Sequence, residues 1–204
     1  MPTSLLIASE NSGKLREFRQ VMSGLPLDIV SPADVGLRLS VAETGATFWE
    51  NAALKARAYA EASGMPALAD DSGLEVDALG GRPGVHSARY AGLRASDAQR
   101  RQKLLSEMAS VPASARGARF VCVLVLCWNG QLYTTQGLVE GQIAFEERGS
   151  FGFGYDSIFL LPERGQTMAE LLPEEKNAIS HRGSAARAMR ELLASLLGPT
   201  GTLS

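Results

Sequence analysis

Residues 65–79 read Met-Pro-Ala-Leu-Ala-Asp-Asp-Ser-Gly-Leu-Glu-Val-Asp-Ala-Leu. An apolar run from Met65 to Ala69 ends in two adjacent carboxylates, Asp70 and Asp71, and a Ser72-Gly73 pair. From Leu74 to Leu79 the residues alternate, with Leu74, Val76 and Ala78 on one side and Glu75, Asp77 and Leu79 on the other. This pattern predicts two short strands with an acidic corner between them. Neighbouring carboxylates repel, so a fold that gathers both usually supplies a cation. Mg²⁺ suits oxygen-only ligands and takes one or two carboxylates plus substrate phosphates. The same residues also make an ordinary solvated turn, because Asp, Ser and Gly are common turn formers.

Upstream, the chain reads as α/β. Ser4 to Ala8 is a short buried strand, Ser9-Glu10-Asn11-Ser12-Gly13-Lys14 is a turn, and Leu15 to Leu25 carries apolar residues at helical spacing. Strand, Gly-containing turn and helix together offer backbone N–H groups and a positive dipole end to an anion. A Walker A loop is rejected, because the positions that would need Gly and Ser or Thr hold Ala8 and Leu15. A plain helix cap by Asn11 or Ser12 uses the same N–H groups, so cap and phosphate site both stay open. Asp28 to Val30 suits a second strand, and Pro32 and Gly36 break the stretch from Ser31 to Ala42. After Glu43-Thr44-Gly45, Thr47 with Glu50 forms a capping-box pattern, opening a helix to about Ser63. Its apolar stripe is Phe48, Ala52, Ala56 and Tyr59. A separate polar row, Thr47, Asn51 and Lys55, suits either solvent or a cleft.

Downstream the pattern changes. Gly80 to Gly84 is a turn cluster, and Ser96 with Gln99 caps a helix to about Ala109. Arg119 to Trp128 has no polar face and reads as a central strand. Asn129-Gly130 predicts a two-residue hairpin. Gln131 to Gln136 pairs back, and Leu138 to Phe145 reads as a third strand of an antiparallel meander. In Phe151-Gly152-Phe153-Gly154-Tyr155-Asp156 aromatics alternate with glycine. An extended segment would put the three rings on one face, either for stacking a planar base or for packing a glycine-loosened edge strand. Thr167 with Glu170 caps a helical turn, and Ser184 to Leu197 is the last helix, leaving a frayed tail over 198–204. His181-Arg182, just before that helix, suits an anion or a base edge as well as a structural role.

Composition narrows the classes. The 204 residues are 45% hydrophobic and 21% charged with net charge −2, which leaves no global basic field for nucleic acid. The longest apolar run, Phe120 to Trp128, is too short to span a bilayer. No basic n-region precedes Leu5-Leu6-Ile7, so no signal peptide is expected. Cys122 and Cys127, five apart on a strand, would lie about 16 Å apart, too far to bridge each other. Both read as buried thiols, consistent with a reducing cytoplasm. The residue chemistry sums to a nucleotide site with Mg²⁺, without giving the reaction.

The sequence resembles the inosine triphosphate pyrophosphatase family. The resemblance runs nearly end to end, on Ala8 to Lys14, Glu43-Thr44-Gly45, Glu50-Asn51-Ala52 with Lys55-Ala56, Ala69 to Gly73, Leu79 to Tyr90, Phe153 to Asp156 and Glu175 to Gly183. Two departures stand out: the first turn has Ser9-Glu10-Asn11 where the family usually has Thr-Gly-Asn, and Ser157 follows Asp156 where Pro is common. The resemblance implies an α/β (mixed α+β) fold. A long central mixed sheet would be flanked by helices in a single two-lobed domain over 1–197, with a substrate cleft. It implies Mg²⁺-dependent hydrolysis of ITP, dITP or XTP to the monophosphate and pyrophosphate by a cytoplasmic homodimer. Position by position, Glu43 and Asp71 would bind the metal, with Asp71 also the general base. Ser9, Glu10, Asn11, Ser12, Gly13, Lys14, Lys55, Ser72 and Lys176 would hold phosphates and sugar, and Phe153, Gly154, Tyr155, Asp156, His181 and Arg182 would surround the base. A pyrophosphatase for modified pyrimidine nucleotides and a catalytically silent nucleotide-binding regulator are the alternatives; the joint presence of Glu43, Asp71 and Lys55 argues against the second.

Overall fold

The computed structural model describes residues 3–198, and of Thr3 the backbone alone. Five helices and seven strands are found among them: β1 (Thr3–Ile7), α1 (Ser12–Val21), β2 (Leu27–Val30), α2 (Phe48–Ser63), β3 (Ala67–Val76), α3 (Asp97–Glu107), β4 (Gly117–Trp128), β5 (Gln131–Ile143), β6 (Phe159–Leu161), β7 (Gln166–Thr167), α4 (Pro173–Ile179) and α5 (His181–Leu197). The strands form one sheet in the order β2-β1-β3-β4-β5-β6-β7. β1 is parallel to β2 and to β3, while β6 is antiparallel to β5 and to β7, so the sheet is mixed as expected.

The chain separates into two compact units. One comprises the chain up to Asp71, Cys122–Gly137 and the chain from Arg182; the other comprises Ser72–Val121 and Leu138–His181. In the first, Leu5, Ile7 and Leu68 join alternate β4 residues, Cys122, Leu124, Leu126 and Trp128, under Phe18 of α1 and Ala185, Met189 and Leu193 of α5. In the second, Leu74, Val76, Phe120 and Ile143 pack with Leu104 and Met108 from the α3 region and with Tyr155, Ile158 and Phe159. Both cysteines are buried in β4.

Local signals set many boundaries. Asn11 caps α1, and its side chain accepts from Gly13 N and Lys14 N. The capping boxes Thr47/Glu50 and Ser96/Gln99 form as read, and Gly64 ends α2 in the left-handed region. Asn129 and Gly130 both have positive φ, 50° and 77°, the geometry a tight hairpin between β4 and β5 requires.

Several expectations are corrected. The acidic corner does not exist: Asp70, Asp71, Ser72 and Gly73 lie inside the single strand β3. Their turn propensity yields because both carboxylates find partners there, described below. Gln131 to Phe145 is likewise not two strands but one, β5, ending at Ile143; Gly137 stays in the strand instead of breaking it. α1 begins earlier than Leu15 and ends at Val21. α5 starts at His181, so His181 and Arg182 belong to its first turn. Phe151 to Phe153 are bends, Gly154 and Tyr155 a turn and Asp156 the start of a 3-10 helix, with Gly149, Gly152 and Gly154 at positive φ, so the extended segment that would align the three rings does not form. Of the expected tail, residues 199–204 lie outside the described residues.

Candidate active site

Strand geometry explains how two adjacent aspartates coexist. Successive side chains on a strand point to opposite faces. Asp70 shares the face of Leu68, which packs with α1 and α5, and its partners come from those helices. Lys14 Nζ lies 2.7 Å from Asp70 Oδ2 and Arg182 Nε 3.8 Å from it. Burial opposes ionisation of Asp70, yet Lys14, Arg182 and Lys55 together hold its carboxyl well below the usual carboxylate range. Arg182 also binds Glu17 of α1 at 2.7 Å and is 4% exposed.

Asp71 points to the other face, toward α2. Asn51, fully buried, donates from Nδ2 to Asp71 Oδ2 at 3.0 Å. The same side chain accepts from Gly45 N at 2.8 Å, so one amide links the Glu43-Thr44-Gly45 segment to β3. Gly45 has to be glycine there: a Cβ would stand 2.6 Å from Glu50 Cβ and 2.8 Å from Asn51 Oδ1. One turn along α2, Lys55 Nζ binds Glu43 Oε1 at 2.7 Å. The polar row of α2 is therefore turned onto acidic side chains. The Asp71 carboxyl is raised to about 6, chiefly by burial and further by Glu43 and Asp70, against the opposing pull of Lys55 and the Asn51 hydrogen bond. Burial works against the charge of Lys55, but Asp70, Asp71 and Glu43 raise its pKa above the ordinary value.

At the N-terminus of α1, Ser9 Oγ accepts from Asn11 N and Asn11 Oδ1 from Gly13 N and Lys14 N. Glu10, Asn11 and Ser12 are exposed. The cap reading is thus realised, and it leaves the positive end of a ten-residue helix facing solvent beside Lys14. Ser72, the first residue of the second unit, is half-buried in β3.

The second unit carries a different group. Asp156, 5% exposed, accepts from Phe153 N at 2.8 Å and pairs with Lys176 Nζ at 2.8 Å. The ammonium of Lys176 also sits 4.7 Å from the centre of the Phe153 ring. Lys176, expected among the phosphate ligands, is therefore placed with Phe153 and Asp156. Gly152 leaves room for the carboxylate: a Cβ would come within 2.2 Å of Asp156 Oδ2. Tyr155 is buried, and its hydroxyl donates to Ser87 O at 2.9 Å, which anchors the turn. Phe153 is half-buried. His181 stacks on Phe120 at 4.8 Å. Asn51 and Glu17 join the candidates only through the fold. The spacing of Asn51 one turn before Lys55 was the available signal; Glu17 had none.

A model of the Ham1 family matches residues 5–192. The chain belongs to the Ham1 family. A dITP/XTP pyrophosphatase of Geobacter sulfurreducens is 50% identical to this Ham1-family chain over 192 residues, covering 94% of this chain and 96% of that protein. A dITP/XTP pyrophosphatase of Bacillus subtilis is 47% identical over 189 residues, covering 92% and 96%. The solved structure of a HAM1 protein from Coxiella burnetii superposes with a TM-score of 0.87 at 45% identity, over 94% of this chain and 98% of that one.

Proposed function

We propose that this chain hydrolyses the triphosphates of deaminated purines, dITP, XTP and ITP, to the monophosphate and pyrophosphate. Family membership supports the reaction class, and the relatives named above carry dITP/XTP pyrophosphatase activity in their names. The observation that carries the chemistry is the buried Asp71 carboxylate, held by Asn51 and within electrostatic reach of Lys55.

The donor set fits a divalent cation that arrives with its nucleotide. Among the described residues no three His, Cys, Asp or Glu side chains form a ready-made metal cage. Mg²⁺ needs none, since it is commonly bound by one or two carboxylates plus substrate phosphates and water. Glu43 and Asp71 would hold it, both acting on the same lysine. When bound, the metal supplies charge neutralisation at the phosphate oxygens.

The remaining steps belong to the chain's own residues. The N-terminus of α1 and Lys14 hold phosphate oxygens. Asp71 orients the attacking water and takes its proton; a carboxyl near pKa 6 is suited to a base at neutral pH. Lys55 stabilises charge developing on the α-phosphoryl oxygens. Water oxygen joins the α-phosphorus, and the bond to the bridging oxygen breaks to release pyrophosphate. Phe153 and Asp156 with Lys176 hold the base. Hypoxanthine and xanthine present an acceptor oxygen at C6, where adenine presents an amine. A fixed donor at that point pairs with the first two and is left unpaired by adenine. Arg182, given its contacts with Glu17 and Asp70, serves chiefly to keep Asp70 ionised and in place. A homodimer in the cytoplasm belongs to the same reading; among the described residues no helix is long and apolar enough to cross a membrane.

Pyrophosphate release measured across dITP, ITP, XTP, GTP and ATP tests this directly. The expected result is turnover of the first three at least about 100-fold above ATP, within the roughly 10⁴–10⁵ that an unmatched buried hydrogen-bonding group can impose, and loss of turnover on chelation of Mg²⁺. Equal rates for all five would contradict the substrate assignment.

A further inference from the structure

Two residues of α3, Asp97 and Arg101, grip the backbone of Gly154 on both sides of its Cα, in the turn that carries Phe153 and Asp156. Gly154 N donates to Asp97 Oδ2 at 2.7 Å, and Arg101 Nη1 donates to Gly154 O at 2.9 Å. The two side chains stand one helical turn apart, so they share a face of α3. Arg101 is itself braced: its Nε lies 2.7 Å from Glu147 Oε2, which also accepts from Ser157 Oγ at 3.1 Å. Asp97 further binds Arg100. Asp97, Arg101, Glu147 and Ser157 line a cavity of about 240 Å³ whose walls include Phe153, Gly154 and Asp156.

The turn needs such a hold. Gly149, Gly152 and Gly154 all adopt positive φ, 82°, 79° and 62°, and glycine leaves the backbone the widest choice of conformations. Nothing lies within 4 Å of where a Gly154 Cβ would be, so packing does not fix its orientation. Asp156 closes the turn from inside through Phe153 N, and Tyr155 anchors the far end on Ser87. Gly154 stands between these two anchors, and its backbone N–H and C=O both bond to α3. Bonds with a charged partner are the stronger kind, and holding the two peptide groups that flank Gly154 limits rotation about its Cα.

We propose that Asp97 and Arg101 are positioning residues that set the Phe153–Asp156 turn for recognition of the purine base, and so set substrate selectivity. This rests on the reading that the turn holds the base. Arg101→Ala and Asp97→Ala should each raise KM for ITP about tenfold with kcat changed less than about threefold, and narrow the ITP-to-ATP ratio of kcat/KM about tenfold. Asp97→Asn, which keeps an acceptor for Gly154 N, should restore KM to within about twofold of the parent. Thermal melting identifies any variant that does not fold, and Asp97→Ser and Arg101→Lys then take its place. A KM and ITP-to-ATP ratio unchanged in both alanine variants would overturn the proposal, as would an equal fall in kcat for every nucleotide. Phe153→Ala separates the two levels. If it raises KM while the α3 variants do not, the positioning role alone fails; if it leaves KM unchanged, the base assignment of the turn fails and the proposal with it.

Discussion

Asp71→Asn leaves the chain folded and lowers kcat for dITP by about 10²–10⁴-fold, the range associated with losing a general base. The substitution keeps the side-chain shape and removes the negative charge. The partner amide of Asn51 meets an oxygen or, after an amide flip, a nitrogen, so the contact at 3.0 Å survives in one orientation. What is lost is the proton acceptor and one of the two carboxylates proposed to face Mg²⁺. Stopped assays of pyrophosphate release, with circular dichroism as the check on folding, measure this. Turnover within about fivefold of the parent would remove Asp71 from the chemistry. The pH profile gives a second readout. A carboxyl raised to about 6 is protonated below that pH and ionised above it, so kcat/KM of the parent falls as the medium becomes more acid than about 6. Proton and Mg²⁺ compete for the same oxygens, so more metal moves this limb to lower pH.

Arg116→Met is the substitution expected to cost most in stability, on the order of 3 kcal/mol or more, the upper end of what one stranded buried acceptor costs. Arg116 is 2% exposed and sits in the second unit. Its guanidinium donates to four backbone carbonyls: Ile143 O at 2.6 Å, Met108 O at 2.7 Å, Val111 O at 3.2 Å and Ala144 O at 2.9 Å. It also lies 4.3 Å from the centre of the Phe145 ring. One planar fork thus joins the end of α3 and the residues after it to the end of β5. Methionine fills much of the space but leaves these carbonyls without their donor, and each buried acceptor so stranded costs about 1–3 kcal/mol. Lysine does not repair it, because three donors on one nitrogen cannot reproduce the fork. Urea unfolding of parent and variant measures the difference; a loss below about 1 kcal/mol would mean the carbonyls find other partners.

Arg116 also shows where the sequence was hard to read. Pro112-Ala-Ser-Ala-Arg116-Gly looks like a polar surface loop, and nothing local says that its arginine turns inward. Elements with chemistry written next to them were legible: the capping boxes of α2 and α3, the Asn-Gly hairpin and the apolar run of β4. Asp70-Asp71-Ser72-Gly73 was misread as a corner for a definite reason. Turn propensity is local, whereas the cations and amide that let two aspartates stay in a strand come from α1, α2 and α5, far away in the chain. The candidate site divides in the same way. Asp70 and Asp71 stand out from residue chemistry alone, the roles of Lys14, Glu43 and Lys55 come from the motif resemblance, and the fold adds the Lys14–Asp70 and Lys55–Glu43 ion pairs. The burial of Tyr155, the placement of Lys176 beside Phe153 and the grip of Asp97 and Arg101 on Gly154 depend on contacts between segments 20 to 68 residues apart, which no local pattern encodes.

The proposed reaction is attack on the α-phosphorus by a water molecule activated at Asp71. Hydrolysis of dITP in ¹⁸O-enriched water, followed by mass spectrometry of both products, tests this most directly. One heavy oxygen is expected in the deoxyinosine monophosphate and none in the pyrophosphate. Label in the pyrophosphate, or orthophosphate as the released product, would contradict it.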